Sequence, residues 1–166
     1  MGSVTAFELI RAVLILTLAY LAYVDLRTFR LPDLTTIPML VAGLIFNLVS
    51  PSRLVNIQAA MFGALMGYVF FWALNHFYRQ FKKRDGIGMG DAKLLAALGA
   101  WYGISSLPGL LLIATISALI GGVLWLRLKN QSLKAAFPFG PFLAIAGIIE
   151  LLWPHLPQTL LLGNPI

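Results

Sequence analysis

Two aspartates in this chain stand where a charge is hard to keep. Asp25 closes an apolar run, AVLILTLAYLAYV (12–24), and Asp91 opens another, AKLLAALGAWYG (92–103), whose only charge is Lys93. An ionisable group on the threshold of a membrane-length apolar segment is expensive, and is read first as functional. The plainer reading of Asp91 is a helix N-cap, because aspartate favours that position and its charge suits a helix amino end. The two readings are compatible. Two carboxyls that meet in a weakly polar site share a proton. The charged one can then take a proton from water while the neutral one donates to the carbonyl oxygen of a peptide bond. Such hydrolysis needs neither thiolate nor metal. The chain has no cysteine, and His76 and His155 stand far apart without zinc-site spacing. Asp91 near an amino helix end is expected to be the base, and Asp25 near a carboxyl end the proton donor.

The residues around these acids suggest support for them. Lys82, Lys83 and Arg84 lead into Gly86, Gly88 and Gly90, a pattern that predicts positive φ or close approach of backbone or substrate. Lys93 either steadies Asp91 or extends to the membrane interface. Pro32-Asp33 reads as a turn followed by the N-cap of the next helix. Gly140-Pro141 suits a helix start, with a kink lining the site. Of the other acids, Glu8 belongs at the outer surface and Asp85, beside Arg84, in a solvated loop. Glu150 lies in the last apolar run and faces either the bundle interior or the outer headgroups.

The elements that carry these residues follow from composition. Of 166 residues, 60% are hydrophobic and 11% charged, and the apolar residues come in long blocks. That excludes a soluble domain and predicts an all-α integral membrane protein. Helices are expected near 7–25, 36–49, 57–77, 91–105, 110–126 and 141–153: about six transmembrane helices in one bundle, a single membrane-embedded domain over 1–166. Several of these runs are shorter than the ~20 residues of a straight span. Alternating spans put Arg27, Arg30, Arg79, Lys82, Lys83, Arg84, Lys93, Arg127, Lys129 and Lys134 on one face, and Arg11 and Arg53 on the other. By the positive-inside rule the first face is cytoplasmic and both termini are periplasmic. The net charge of +6 then reports orientation and contact with anionic lipid, not nucleic acid. Ala59, Gly63 and Gly67, and Gly99 with Gly103, predict close helix packing. Trp72, Trp101, Trp125 and Trp153 read as packing or interfacial anchors, and His76 as interfacial.

The motifs resemble those of the type IV prepilin leader peptidases, membrane aspartyl proteases with the motif GxGD, here Gly88-Met89-Gly90-Asp91. DLRTFRLPDLTTIP is similar to the family's first-aspartate segment, with Asp25 as its catalytic aspartate and Leu31-Pro32-Asp33 as the companion motif. GMGDAKLLAALGAWYG resembles the second-aspartate segment, and FPFGPFLAIAG (137–147) the late motif. The resemblance implies catalytic roles for Asp25 and Asp91, supported by Gly88, Gly90, Lys93, Pro32, Asp33, Gly140 and Pro141, with no metal. It implies a bacterial inner-membrane enzyme that removes the short basic leader from prepilins or type II secretion pseudopilins, after a glycine, at the cytoplasmic face. Many relatives carry an amino-terminal region with two cysteine pairs and N-methylate the new terminus from S-adenosylmethionine. Without those cysteines the expectation is a short, peptidase-only form, or a fragment of a longer protein, that uses no cofactor unless methylation is retained. Two rival readings are a small proton- or cation-coupled transporter using paired acids and a non-catalytic membrane scaffold. An acid halfway along a helix would favour the first, and widely separated aspartates the second.

Overall fold

In the computed structural model, which describes residues 2–82, 88–128 and 137–154, six α-helices follow one another with no β-strand among them. They are α1 (Gly2–Thr28), α2 (Asp33–Val49), α3 (Ile57–Lys82), α4 (Met89–Tyr102), α5 (Leu107–Leu128) and α6 (Gly140–Leu152). Three spans, Phe7–Thr28 in α1, Ile57–Phe81 in α3, and Ile104–Leu124, which joins a short 3-10 turn (Ile104–Ser106) to α5, are long and apolar enough to cross a membrane. α4 and α6 have 14 and 13 residues. At 1.5 Å per residue each rises only about 20 Å, short of the ~30 Å of a hydrocarbon core.

The shortness of α4 matches its place. From Leu94 to Tyr102 every residue is buried, so α4 is apolar all round, as a helix walled by other helices must be. α2, α3, α5 and α6 pack against it, and α1 packs on α6. The small residues do what their spacing predicts. Gly63 of α3 meets the backbone of Gly99, and a Cβ on Gly67 would lie 2.7 Å from the Leu95 carbonyl oxygen. The backbones touch, which only glycine allows. Gly103 ends α4 with φ of 79°, a left-handed exit that favours glycine, its N–H donating to the Gly99 carbonyl.

Buried polar groups tie the end of the bundle away from Asp25 and Asp91. Asn47 is fully buried. Its amide donates to the carbonyls of Ala100 (2.9 Å) and Trp101 (3.1 Å), and its carbonyl accepts from the N–H groups of Leu54 and Val55. All its partners are backbone, so one side chain closes the carboxyl ends of α2 and α4 against the 50–56 turn. Trp101 is buried, donates to the Met39 carbonyl at 2.9 Å and stacks on Phe46, which makes it a packing residue. Trp72 is exposed and stacks on His76, also exposed, and Trp153 is exposed. The side chains of Lys82 and Trp125 lie outside the described residues, as do Lys83, Arg84, Asp85, Gly86, Lys129, Lys134 and His155.

Helix ends differ from the sequence expectation in ways that matter for the site. α2 starts at Asp33 rather than near residue 36, because the Pro32 carbonyl accepts from the N–H groups of Thr35 and Thr36. Pro38 consequently sits in the second turn of α2. α4 starts at Met89, so Asp91 is not its cap. The capping position is Gly88, which has no side chain to offer, and Asp91 lies in the first turn.

Candidate active site

Three helix ends converge at one end of the bundle: the carboxyl end of α1, which carries Asp25, and the amino ends of α4 and α6. The joint between them is Leu31, in the short connection from α1 to α2. A Cβ on Gly90 would lie 3.0 Å from Leu31 Cβ, and one on Gly140 would lie 3.3 Å from Leu31 Cδ1. Leu31 is therefore wedged between the glycine beside Asp91 and the glycine beside Asp25. Neither glycine can carry a side chain without moving this joint.

Asp25 is 5% exposed. The amide of Gly140, the first residue of α6, donates to its Oδ2 at 3.1 Å. A helix amino end has N–H groups with no partner inside the helix, and Asp25 satisfies one of them. Pro141 follows at a position where a missing N–H costs nothing. It starts α6 rather than kinking it. The asymmetry expected from helix ends loses its basis here. Asp25 lies at the carboxyl end of its own helix but also at the amino end of α6, so both carboxyls face helix amino ends.

Asp91 is partly buried, and a Cβ on Gly88 would stand 3.4 Å from its Oδ2. Both aspartates line the same two cavities. One, of about 570 Å³, is apolar and aromatic, walled by Phe70, Phe71 and Leu74 of α3, Leu111 of α5, and Phe137 and Phe139 before α6. The rings of Phe71 and Phe139 meet edge to face with centroids 5.9 Å apart. The other, of about 350 Å³, is mixed, with Arg30, Asp33, Lys93 and the backbone around Gly90 beside Leu31 and Met89. A pair of acids between two such cavities can act on a bond from one side while a chain runs through.

Of the remaining expected residues, some lie beside this pair and others do not. Lys93 pairs with Asp33 rather than Asp91: its Nζ lies 2.6 Å from Asp33 Oδ1. The spacing along α4 turns its side chain toward α2, so the ion pair joins the amino ends of two helices. Asp33 thus follows the cap, Pro32, and pairs with Lys93. Gly88 has φ of −65°, an ordinary value. A Cβ there would meet only ordinary contact, whereas Gly90 is a position of close approach. Pro32 and Pro141 line neither cavity. Glu150 is buried at the far end of α6, where Ser106 Oγ donates to its Oε1 at 2.9 Å, so it faces the interior. Among the described residues no three histidine or acidic side chains come together as metal ligands.

Sequence reasoning did not single out Phe29, Leu31 as a wedge, the aromatic wall, or Asn47. Only Asn47 left a signal, an amide inside an otherwise apolar helix.

A family model described as the type IV leader peptidase family matches residues 12–126. The chain is 41% identical over 141 residues to the prepilin leader peptidase/N-methyltransferase of Dickeya chrysanthemi, covering 81% of this chain and 49% of that protein. The protein of the same name from Aeromonas salmonicida (strain A449) is 43% identical over 144 residues, covering 86% of this chain and 49% of its own length. The one from Pseudomonas aeruginosa is 41% identical over 144 residues, with the same coverage of 86% and 49%. The chain spans about half the length of the curated relatives it matches. No solved structure matches it. With the expected motifs gathered at one end of the helices and a family model that covers most of the sequence, this chain belongs to the type IV leader peptidase family.

Proposed function

We propose that the protein is an intramembrane aspartyl endopeptidase that removes the leader from prepilins or pseudopilins. One observation carries this reading: Asp25 of α1 and Asp91 of α4, distant in sequence, line the same two cavities. In the mechanism the pair holds one proton. The charged carboxyl takes a proton from a water molecule as its oxygen attacks the scissile carbonyl carbon, and the neutral carboxyl protonates the carbonyl oxygen. Collapse of the tetrahedral intermediate breaks the C–N bond. The proton gained from water passes to the leaving amine, a hydroxyl of the diol returns a proton to the carboxylate that had donated one, and the pair is back in its starting state. Gly140 holds Asp25 in place, and the amino end of α4 carries Asp91.

The transporter reading asks for a path of acids across the bundle. Glu150, the remaining buried acid of the helices, lines a different cavity at the opposite end, which favours hydrolysis. A scaffold has no use for two aspartates beside a shared cavity. The helices are proposed to work as one membrane-embedded domain in the bacterial inner membrane. The site would face the cytoplasm, since ten of the twelve cations sort to its side by sequence position. No cofactor enters the proposed reaction. Partners are the prepilin segment and the surrounding lipid.

The test is replacement of each acid by its neutral isostere. Asp25→Asn and Asp91→Asn should each lower prepilin processing by about 10²- to 10⁴-fold, the range for loss of a general acid or base, while the folded protein is recovered in normal yield. If either variant shortens prepilin on a gel at the wild-type rate, the mechanism is wrong.

A further inference from the structure

Phe29 is out of place in both backbone and side chain. α1 ends with the Phe29 N–H donating to the Asp25 carbonyl at 2.9 Å. Phe29 then takes φ of 54°, and is the one non-glycine residue with positive φ among those described. Glycine fills such a position by default, because a Cβ in the left-handed region crowds the next carbonyl. The ring gains little burial in return, since Phe29 is 52% exposed. Strained backbone that holds an exposed aromatic beside reactive groups points toward function.

Its position says which function. Four residues line both cavities: Asp25, Gly88, Asp91 and Phe29. Of these only Phe29 carries a large side chain. The ring stands at the boundary between the aromatic chamber and the chamber of Arg30, Asp33 and Lys93, beside the carboxyl pair.

We propose that Phe29 is a specificity-determining residue that partitions the site. A substrate lies with an apolar segment in the aromatic chamber and a polar segment in the other, and the bond at the change of polarity is held at Asp25 and Asp91. This rests on the peptidase reading above and adds to it a rule of selection. A uniformly polar chain leaves the aromatic chamber without apolar contact. A uniformly apolar chain covers the exposed Arg30 guanidinium without giving it an acceptor. The apolar helix that follows a prepilin leader suits the aromatic chamber, the backbone carbonyls before it offer acceptors to Arg30, and the left-handed backbone of Phe29 fixes the ring between the two chambers.

The experiment uses the full chain in lipid vesicles and two substrates: a prepilin, and the same prepilin with the first six apolar residues after the cleaved bond replaced by serine. The wild-type protein should prefer the first. Phe29→Gly should keep or raise the melting temperature, because glycine adopts this φ without strain. It should lower kcat/KM on the first substrate by about tenfold, as loss of an anchoring aromatic does, and bring the ratio between the two substrates close to one. Phe29→Asn, which also tolerates the left-handed region, should behave alike and serves if the glycine variant does not fold. Full activity with full preference in these variants, or a loss that follows a fall in melting temperature, would overturn the proposal. If the wild-type protein cleaves neither substrate, the peptidase reading itself fails and the selection rule with it. If it cleaves and the Phe29 variants still discriminate, only the role of Phe29 fails.

Discussion

Adding one methyl group at Gly140 should separate folding from catalysis. A Cβ there would stand 2.7 Å from Asp25 Oδ2 and 3.0 Å from Asp25 Cγ, where ordinary contact begins at 3.4 Å. The shortfall against Oδ2 is 3.4 − 2.7 = 0.7 Å. The clashing atoms are the end of a side chain and, at 3.3 Å, a methyl of Leu31, so they can turn aside without breaking a helix. Gly140→Ala should then destabilise by only about 1 kcal/mol, the low end of the range for overpacking. Catalysis is less forgiving. The same movement lengthens the Gly140 N–H bond to Oδ2 and displaces one carboxyl of the pair by a large part of an ångström. Misplacement of about 1 Å can lower a rate by about a hundredfold, so kcat should fall by about ten- to a hundredfold. Initial rates of prepilin processing, set beside thermal melting in the same detergent, read both quantities. Gly88→Ala provides a graded comparison. Its Cβ would meet Asp91 Oδ2 at 3.4 Å, an ordinary contact, so the loss should be several times smaller. A Gly140→Ala protein that works at the wild-type rate, or loses activity only as it loses folded protein, would refute the placement of Asp25 against α6.

Two further outcomes test the frame around the site. Asn47→Leu removes four hydrogen bonds to buried backbone groups at the end away from the aspartates. At about 1 kcal/mol for each partner left unsatisfied, stability should fall by about 3–5 kcal/mol, seen as a lower melting temperature, while activity per folded molecule stays within about twofold. The chain has no cysteine, so single substitutions report topology cleanly. In intact cells a membrane-impermeant maleimide should label Ser52→Cys and spare Gln80→Cys, because Gln80 lies near the end of α3 that carries the site; labelling in the reverse sense would invert the proposed orientation.

Much of this protein was legible before its structure. Asp25 and Asp91 stand out because a charge beside a long apolar run is costly, and costly residues are informative. Gly63, Gly67 and Gly99 announced close packing, since small residues at helical spacing have few other uses in a membrane bundle. Helix type followed from block hydrophobicity alone. What remained hidden depended on partners in other elements. Sequence leaves Lys93 between steadying Asp91 and reaching the interface, yet it pairs with Asp33 of the neighbouring helix α2. Asp91 was read as a cap, yet a glycine stands at that position.

Composition and local pattern thus determined the helices and singled out the two aspartates that the fold brings to one end of the bundle, because these rest on the cost of charge in an apolar medium and on period along a single chain. Only the tertiary structure decided that Leu31 separates two glycines, that Gly140 holds Asp25, and that Phe29 stands between two chambers. Those relations are distances between segments far apart in sequence, and they come from packing, which no local rule contains.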